Sequence, residues 1–219
     1  LVDGLVRIKP LMTRVAELEM PAITISDHHN FFGLIKAYKI ASDLGIKLII
    51  GVDLHVADPS DNERHHELCL LAQNGNGYQN LIRLISRAYR QGQYLGRPQV
   101  QLSWMSEYSE GIIALSGGRK GDVGQALLHG RPKDARSLLL RWQKLFPNRF
   151  YLELQRTGRE DEESYIHSAI DLASRFSCPV VATNDVRFLN QEDFEAHEAR
   201  VCIASSRVLD DERREKKYT

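Results

Sequence analysis

The sequence has no long apolar run. Nowhere in its 219 residues does a hydrophobic stretch approach the length of a membrane span, and no signal-peptide pattern opens the chain. Cysteine is scarce: Cys69, Cys178 and Cys202 are odd in number, far apart and set in apolar contexts. That argues against a disulfide framework or a zinc knuckle and for reduced core thiols in a cytosolic protein. Charge of one sign is missing too, with Lys plus Arg, 29, matched by Asp plus Glu, 29. A domain that grips nucleic acid by itself is usually basic, so DNA contact is not expected from this domain alone. No Gly-x-Ser-x-Gly elbow occurs, and the glycine-rich segment fits neither the dinucleotide fingerprint nor the P-loop. Nothing resembles an interdomain linker, so residues 1–219 read as one domain. The first residue is Leu1 rather than Met, and the natural start is expected to lie upstream.

What is present is a repeated strand-then-helix pattern. Strands are expected at Ala22–Ile25, Leu48–Val56, Leu68–Ala72, Ile112–Ser116, Tyr151–Gln155 and Val180–Thr183. Most read as continuous apolar runs, which suits strands buried on both faces of a parallel sheet. Helical stripes fall between them: Leu5, Ile8, Met12 and Val15; Tyr78, Leu81, Ile82 and Ile85; Ala135, Leu138, Leu139, Trp142 and Leu145; Tyr165, Ala169, Leu172 and Phe176. Gly45 ends one helix and Pro132 opens another. The first helix lacks a preceding strand, and restoring one upstream gives about seven strand–helix units.

Strand after strand ends in groups able to do chemistry: Asp27-His28-His29, Asp53 with His55, Ser116-Gly117-Gly118, Gln155-Arg156-Thr157, and Asn184-Asp185. In an α/β barrel every carboxyl strand end points at one face, whereas an open sheet gathers only those near its switch point. The convergence favours a barrel. Asp27-His28 has metal-ligand character, but Asn30 behind it could equally be capping a helix. Asp53 sits inside an apolar strand, where a buried carboxylate needs a partner. His65 and His66 read as a solvated surface pair. The segment Ser116–Gly124 reads as a structural loop, with Asp122 placed to repel any bound anion. Asp210–Lys217 reads as a solvated tail or connector.

Several stretches together resemble one family: Leu1–Gly4, ISDHHNFFGLIKAY, HELCLLAQNGNGYQNLIRLISRAY, GIIALSGGRKGDVG, FYLELQRTGREDEESYIHSAIDLA and PVVATNDVRFLNQEDFEAHEARVCI. They look like the N-terminal polymerase-and-histidinol-phosphatase (PHP) domain of the bacterial DNA polymerase III alpha subunit, proteobacterial replicative type. The resemblance implies a distorted seven-stranded (β/α)7 TIM-like barrel whose first strand is missing here. In metal-bearing members of that family, an ion cluster at the strand carboxyl ends supports phosphoester hydrolysis. Asp3, His28, Asp53 and Asp185 match ligand positions. Asp53 stands where glutamate is usual, and Glu67 where histidine is usual, with His66 as a substitute if the loop shifts by a residue. Thr157 replaces a histidine or cysteine ligand, and Arg187 replaces a histidine.

The resemblance therefore implies a degenerate metal site. No catalytic residue and no cofactor are expected in this stretch; Zn or Mn would bind if the site works, and Mg would serve a polymerising domain elsewhere. Arg187 and His28 are candidates for anion contact instead. The implied role is structural, within a cytoplasmic DNA-directed DNA polymerase whose whole chain contacts DNA. Implied partners are the remaining domains of that subunit and the proofreading exonuclease subunit of the polymerase III core, with no membrane. The alternative is an active metal-dependent 3'-5' exonuclease, pyrophosphatase or other phosphoesterase.

Overall fold

Alternation of residue type governs how this sheet packs. Along its second strand the chain reads Val52-Asp53-Leu54-His55-Val56, and along the third His65-His66-Glu67-Leu68-Cys69-Leu70. Successive side chains of a strand point to opposite faces, so such sequences build one apolar and one titratable face. The computed structural model describes residues 4–58 and 61–211. Its main sheet contains β1 (Ala22–His28), β2 (Lys47–Asp58), β3 (Asp61–Ala72), β6 (Ile112–Leu115), β7 (Phe150–Leu154) and β8 (Val180–Ala182), hydrogen-bonded in that order. A two-stranded ribbon, β4 (Gln93–Tyr94) and β5 (Arg97–Pro98), stands apart. Around them lie α1 (Ile8–Glu17), α2 (Leu34–Asp43), α3 (Gly75–Gln91), α4 (Met105–Tyr108), α5 (Asp122–Leu128), α6 (Pro132–Leu145), α7 (Glu162–Arg175) and α8 (Phe194–Ser205).

The apolar face carries Val52, Leu54, Val56, Leu68, Leu70, Ile112, Ala114, Phe150 and Leu152, all buried. Against it pack Leu81, Leu84, Ile85 and Ala88 of α3, and Ala135, Leu139 and Trp142 of α6. Each fully buried leucine there contributes about 1.5–3 kcal/mol relative to an exposed one. Met12 and Val15 of α1, with Ala37 and Ala41 of α2, cover Ile23 and Ile25 of β1 in the same way. The expected helical stripes therefore serve as core faces. Among the described residues no helix is long and apolar enough to cross a membrane.

The expected all-parallel sheet is corrected at one strand. β1 and β2 are parallel, as are β6, β7 and β8, but β3 runs antiparallel to both β2 and β6. A parallel neighbour needs a crossover of a dozen or more residues. Here β2 ends at Asp58 and β3 begins at its register partner Asp61, so the chain must return antiparallel. The mixed sheet curls into a half-barrel, a distorted α/β TIM-like barrel as expected. Its titratable face is the concave one. Asp53 on β2 and Glu153 on β7 are three strand spacings apart, about 14 Å on a flat sheet, yet the charge on Asp53 helps raise Glu153.

Candidate functional site

Register places one polar group after another on the concave face. Asp53 is the cross-strand partner of Cys69, His55 of Glu67, and His28 of Asp53 from the parallel side. Paired residues share a face, so Ser26, His28, Asp53, His55, His65, Glu67 and Cys69 form one continuous patch. β7 adds Glu153, and the residue after β8 adds Thr183. Asp27, one residue out of phase with His28, faces the helix side, where its Oδ2 accepts the Gly33 N–H at 2.8 Å. Asn30 does not cap α2, whose N-cap is Gly33; its Oδ1 instead accepts the Phe32 N–H at 2.9 Å in the turn before the helix.

The carboxylates of this patch are held away from water. Burial is the main cause that raises Asp53, opposed by the charge of His28 and by hydrogen bonds from Cys69 and Ser26. The Ser26 hydroxyl donates to Asp53 Oδ2 at 3.2 Å. Burial also raises Glu153, against a hydroxyl bond from Thr183 at 2.5 Å and an amide bond from Gln155 at 3.3 Å. The half-buried Cys69 thiol is pushed well above its ordinary value by desolvation and by the charges of Asp53 and Glu153, so it behaves as a neutral donor rather than a thiolate.

A group of imidazoles lies at the rim. The His55 ring is 4.1 Å from His65, 4.6 Å from His29 and 6.0 Å from His28, centroid to centroid. His29 is buried with φ at 57°, and its Nε2 accepts the His55 backbone N–H at 3.3 Å. Burial, then the charges of His55, His28 and His65, lower His29 to about 3. Burial, then His65, lower His55 to about 4. Both rings are therefore neutral at ordinary pH. His65, expected as solvated surface, is half-buried against His55 instead, because its strand position shares the concave face. His66 alternates to the opposite face and lies 3.5 Å from Asp58, so it does not stand in for Glu67 without a register slip.

At the other end of the half-barrel Asp185 is clamped by two guanidiniums. Arg187 Nε reaches its Oδ1 at 2.7 Å and Arg159 Nη2 its Oδ2 at 2.8 Å. Thr157 is likewise engaged: its hydroxyl donates to Glu162 Oε1 at 2.6 Å, while Glu162 Oε2 accepts the N–H groups of Thr157, Gly158 and Arg159. Burial acts to raise Glu162, but these four donors outweigh it and hold its carboxyl below the usual value. Glu67 meets Lys120 Nζ at 3.0 Å. Asp3 lies outside the described residues. The sequence reading missed Arg159 and Glu153; the Phe150-Tyr151-Leu152-Glu153 alternation signals Glu153, whereas nothing in the sequence points Arg159 at Asp185.

A hydrolytic ion cluster requires several donors fixed around shared points. Among the described residues no three His, Cys, Asp or Glu side chains are grouped to hold a metal ion. Among the described residues Asp185 is paired with two arginines and Thr157 with Glu162, so neither is presented as an open ligand.

Curated relatives match over the whole chain. The DNA polymerase III subunit alpha of Pseudomonas aeruginosa is 50% identical over 219 residues, and that of Escherichia coli K12 is 46% identical over 220. Each alignment covers 100% of this chain but 19% of the relative, so the chain spans about a fifth of those proteins. Among solved structures, a candidate metal-dependent phosphoesterase from Bifidobacterium adolescentis superposes with TM-score 0.56 at 9% identity, covering 90% of this chain and 92% of that one. An amidohydrolase from Chromobacterium violaceum gives 0.53 at 15% identity, with 90% and 93% covered. Both show a shared fold. The PHP domain family matches residues 1–157, and the chain belongs to it, with its full length similar to the PHP region of DNA polymerase III alpha subunits of proteobacteria.

Proposed function

We propose that this PHP domain is a non-hydrolytic, structural module of a replicative DNA polymerase alpha subunit. The full-length protein would carry out DNA-directed DNA synthesis in the cytoplasm, using Mg and DNA contacts in its other domains. This domain would support those domains and dock a separate proofreading exonuclease subunit. The observation that carries the reading is the Arg159–Asp185–Arg187 clamp. A carboxylate at a family ligand position is paired with two fixed cations, whose charge repels a divalent metal. The alternative, a phosphoesterase or exonuclease using Zn or Mn, draws support from the concave face, where His28, Asp53, Glu67 and Glu153 are gathered.

One measurement separates the two. The domain, expressed with its natural upstream residues, is loaded with Zn or Mn and desalted, and metal per chain is counted together with hydrolysis of a phosphodiester. No more than one ion per chain and no hydrolysis are expected; two or more ions with turnover would put the hydrolase reading first.

A substitution tests the clamp itself. Asp185→Ala leaves Arg159 and Arg187 mutually repelling at sites where their side chains are 19% and 16% exposed. Removing one partner of a buried pair costs 3–5 kcal/mol, and partial exposure reduces this to about 2 kcal/mol. Urea denaturation reads the loss. A variant that melts like the parent while losing phosphodiester hydrolysis would instead give Asp185 a catalytic part.

A further inference from the structure

We propose that a cleft in the helical layer binds an aliphatic monocarboxylate, a carboxylate group carried on a short branched hydrocarbon. The cleft has a volume of about 740 Å3, within the usual span of ligand sites, about 300–1,000 Å3. One wall is the segment from Gln101 to Ser109, and the other is the C-terminal part of α6, with Arg141, Lys144 and Leu145. It lies where α4 leads into β6 and α6 leads into β7, at the amino ends of those strands. Glu153 and Thr183 lie instead towards the carboxyl ends of β7 and β8, so the cleft is separate from the concave patch. Its walls are fixed. Met105 is 1% exposed and anchors α4 in the main core, where Leu102 and Trp104 pack beside it. Arg149 Nη1 donates to the carbonyls of Ser109 and Ile112, each at 2.7 Å, and ties α4 to β6.

Charge selects the ligand. Arg141 and Lys144 stand three residues apart on one face of α6, where like charges repel. Neither has an acidic residue three or four positions away in the chain. Asp122 accepts one N–H of Arg141 Nη2 at 2.7 Å and offsets that charge, leaving the rest of a guanidinium that is 36% exposed. The Lys144 ammonium has no ion pair among the described residues, and no carboxylate lines the cleft. One uncompensated positive charge remains, which matches a monoanion rather than a phosphate dianion. Arginine and lysine donors suit a carboxylate head. Leu102 and Leu145 line the same cleft and would cover an aliphatic group beside it. The hydroxyls of Ser103 and Ser109 make no hydrogen bond to the described residues, and that of Ser106 makes only a long one, 3.4 Å to the Ser103 carbonyl. With the Gln101 amide they supply further donors and acceptors to the ligand.

The test titrates the whole chain with isocaproate and follows its backbone amides by NMR. Saturable shifts are expected at Ser103, Ser106 and Leu145 together. Isocaproamide, which has the same shape without the charge, is expected to bind about tenfold more weakly. Lys144→Gln is expected to weaken isocaproate about fivefold, the effect of one largely exposed ion pair, and added salt to weaken it further. Lys133→Gln, at the other end of α6, leaves the affinity unchanged. Lys144 is exposed, so its variant keeps the fold, and the remaining amide signals check this. Acetyl-Gly-Gly-Leu with a free carboxylate identifies the source of the ligand. Tighter binding than isocaproate assigns the cleft to a peptide C-terminus, and equal or weaker binding assigns it to a free acid; either supports the site. Absence of saturable shifts, equal binding of the amide, parental affinity in Lys144→Gln, or tighter binding of inorganic phosphate overturns the proposal.

Discussion

Between pH 6.5 and pH 4.5 the domain is expected to lose about 3 kcal/mol of stability, and His29 and His55 are the reason. Burial and mutual repulsion lower His29 to about 3 and His55 to about 4, from an ordinary 6.5. The unfolded chain takes up protons on these rings near pH 6.5, while the folded chain resists until much lower pH. Their stabilisation is therefore complete above pH 6.5 and declines as pH falls through the window down to about 4 and 3. Asp53 and Glu153 act in the opposite sense. Their folded values lie above those of the unfolded chain, so the stability tied to their neutral forms is present in acid and lost as pH rises through the folded values.

The two effects separate by substitution. His55→Gln paired with His29→Asn removes the acid-sensitive rings, and asparagine is the replacement that tolerates the left-handed backbone at φ 57°. In that double variant Asp53 and Glu153 keep their opposite sense, and the stability lost on acidification is expected to be clearly smaller than in the parent. Chemical denaturation at a series of pH values measures both slopes. A double variant as acid-labile as the parent would show that the histidines are not the titrating groups.

The same residues mark how far the sequence could be read. The six main strands and the helical stripes were legible because periodicity survives in local sequence. The reversed β3 is less so, since the apolar residues of Leu48–Val56 suit a parallel strand equally well. Its alternation, Val52 and Leu54 against Asp53 and His55, was the signal for a sheet with one titratable face. His28 and Asp53 were recognisable as chemistry-bearing because they end or interrupt apolar strands. Pairings across the fold were not legible. Arg159 lies 26 residues from Asp185, and its direction is set by the turn that Glu162 ties together, not by any spacing. The imidazole group likewise depends on β2–β3 register, which fixes which of His65 and His66 faces inward.

Asp122→Ala is expected to cost about 3–4 kcal/mol without affecting any phosphate contact. This residue sits in the glycine-rich segment Ser116–Gly124, whose composition invites comparison with an anion cradle. The structure uses the segment otherwise. Gly117 adopts φ 72°, and a Cβ there would strike the Glu67 carbonyl, so glycine is required by close packing against β3. Asp122 opens α5 with its side chain turned inward. Its Oδ2 accepts Arg141 Nη2 at 2.7 Å, and its Oδ1 accepts Trp142 Nε1 at 2.9 Å and the Val123 N–H at 2.7 Å. Trp142 is 2% exposed and stacks on Phe150 at 6.0 Å, within the main core. Alanine would leave the indole N–H buried without an acceptor and Arg141 without its carboxylate. Because Arg141 is 36% exposed, water recovers part of the ionic loss, and the indole accounts for much of the cost. Asp122→Asn keeps an oxygen acceptor for the indole but not the charge, and is expected to cost about half as much. Thermal unfolding with and without inorganic phosphate distinguishes the roles. If the segment were an anion cradle, Asp122→Asn would relieve repulsion and raise the protection given by phosphate. Equal protection of parent and variant is expected, because Asp122 is a buried acceptor joining α5 to α6 and the loop's backbone is committed to β3.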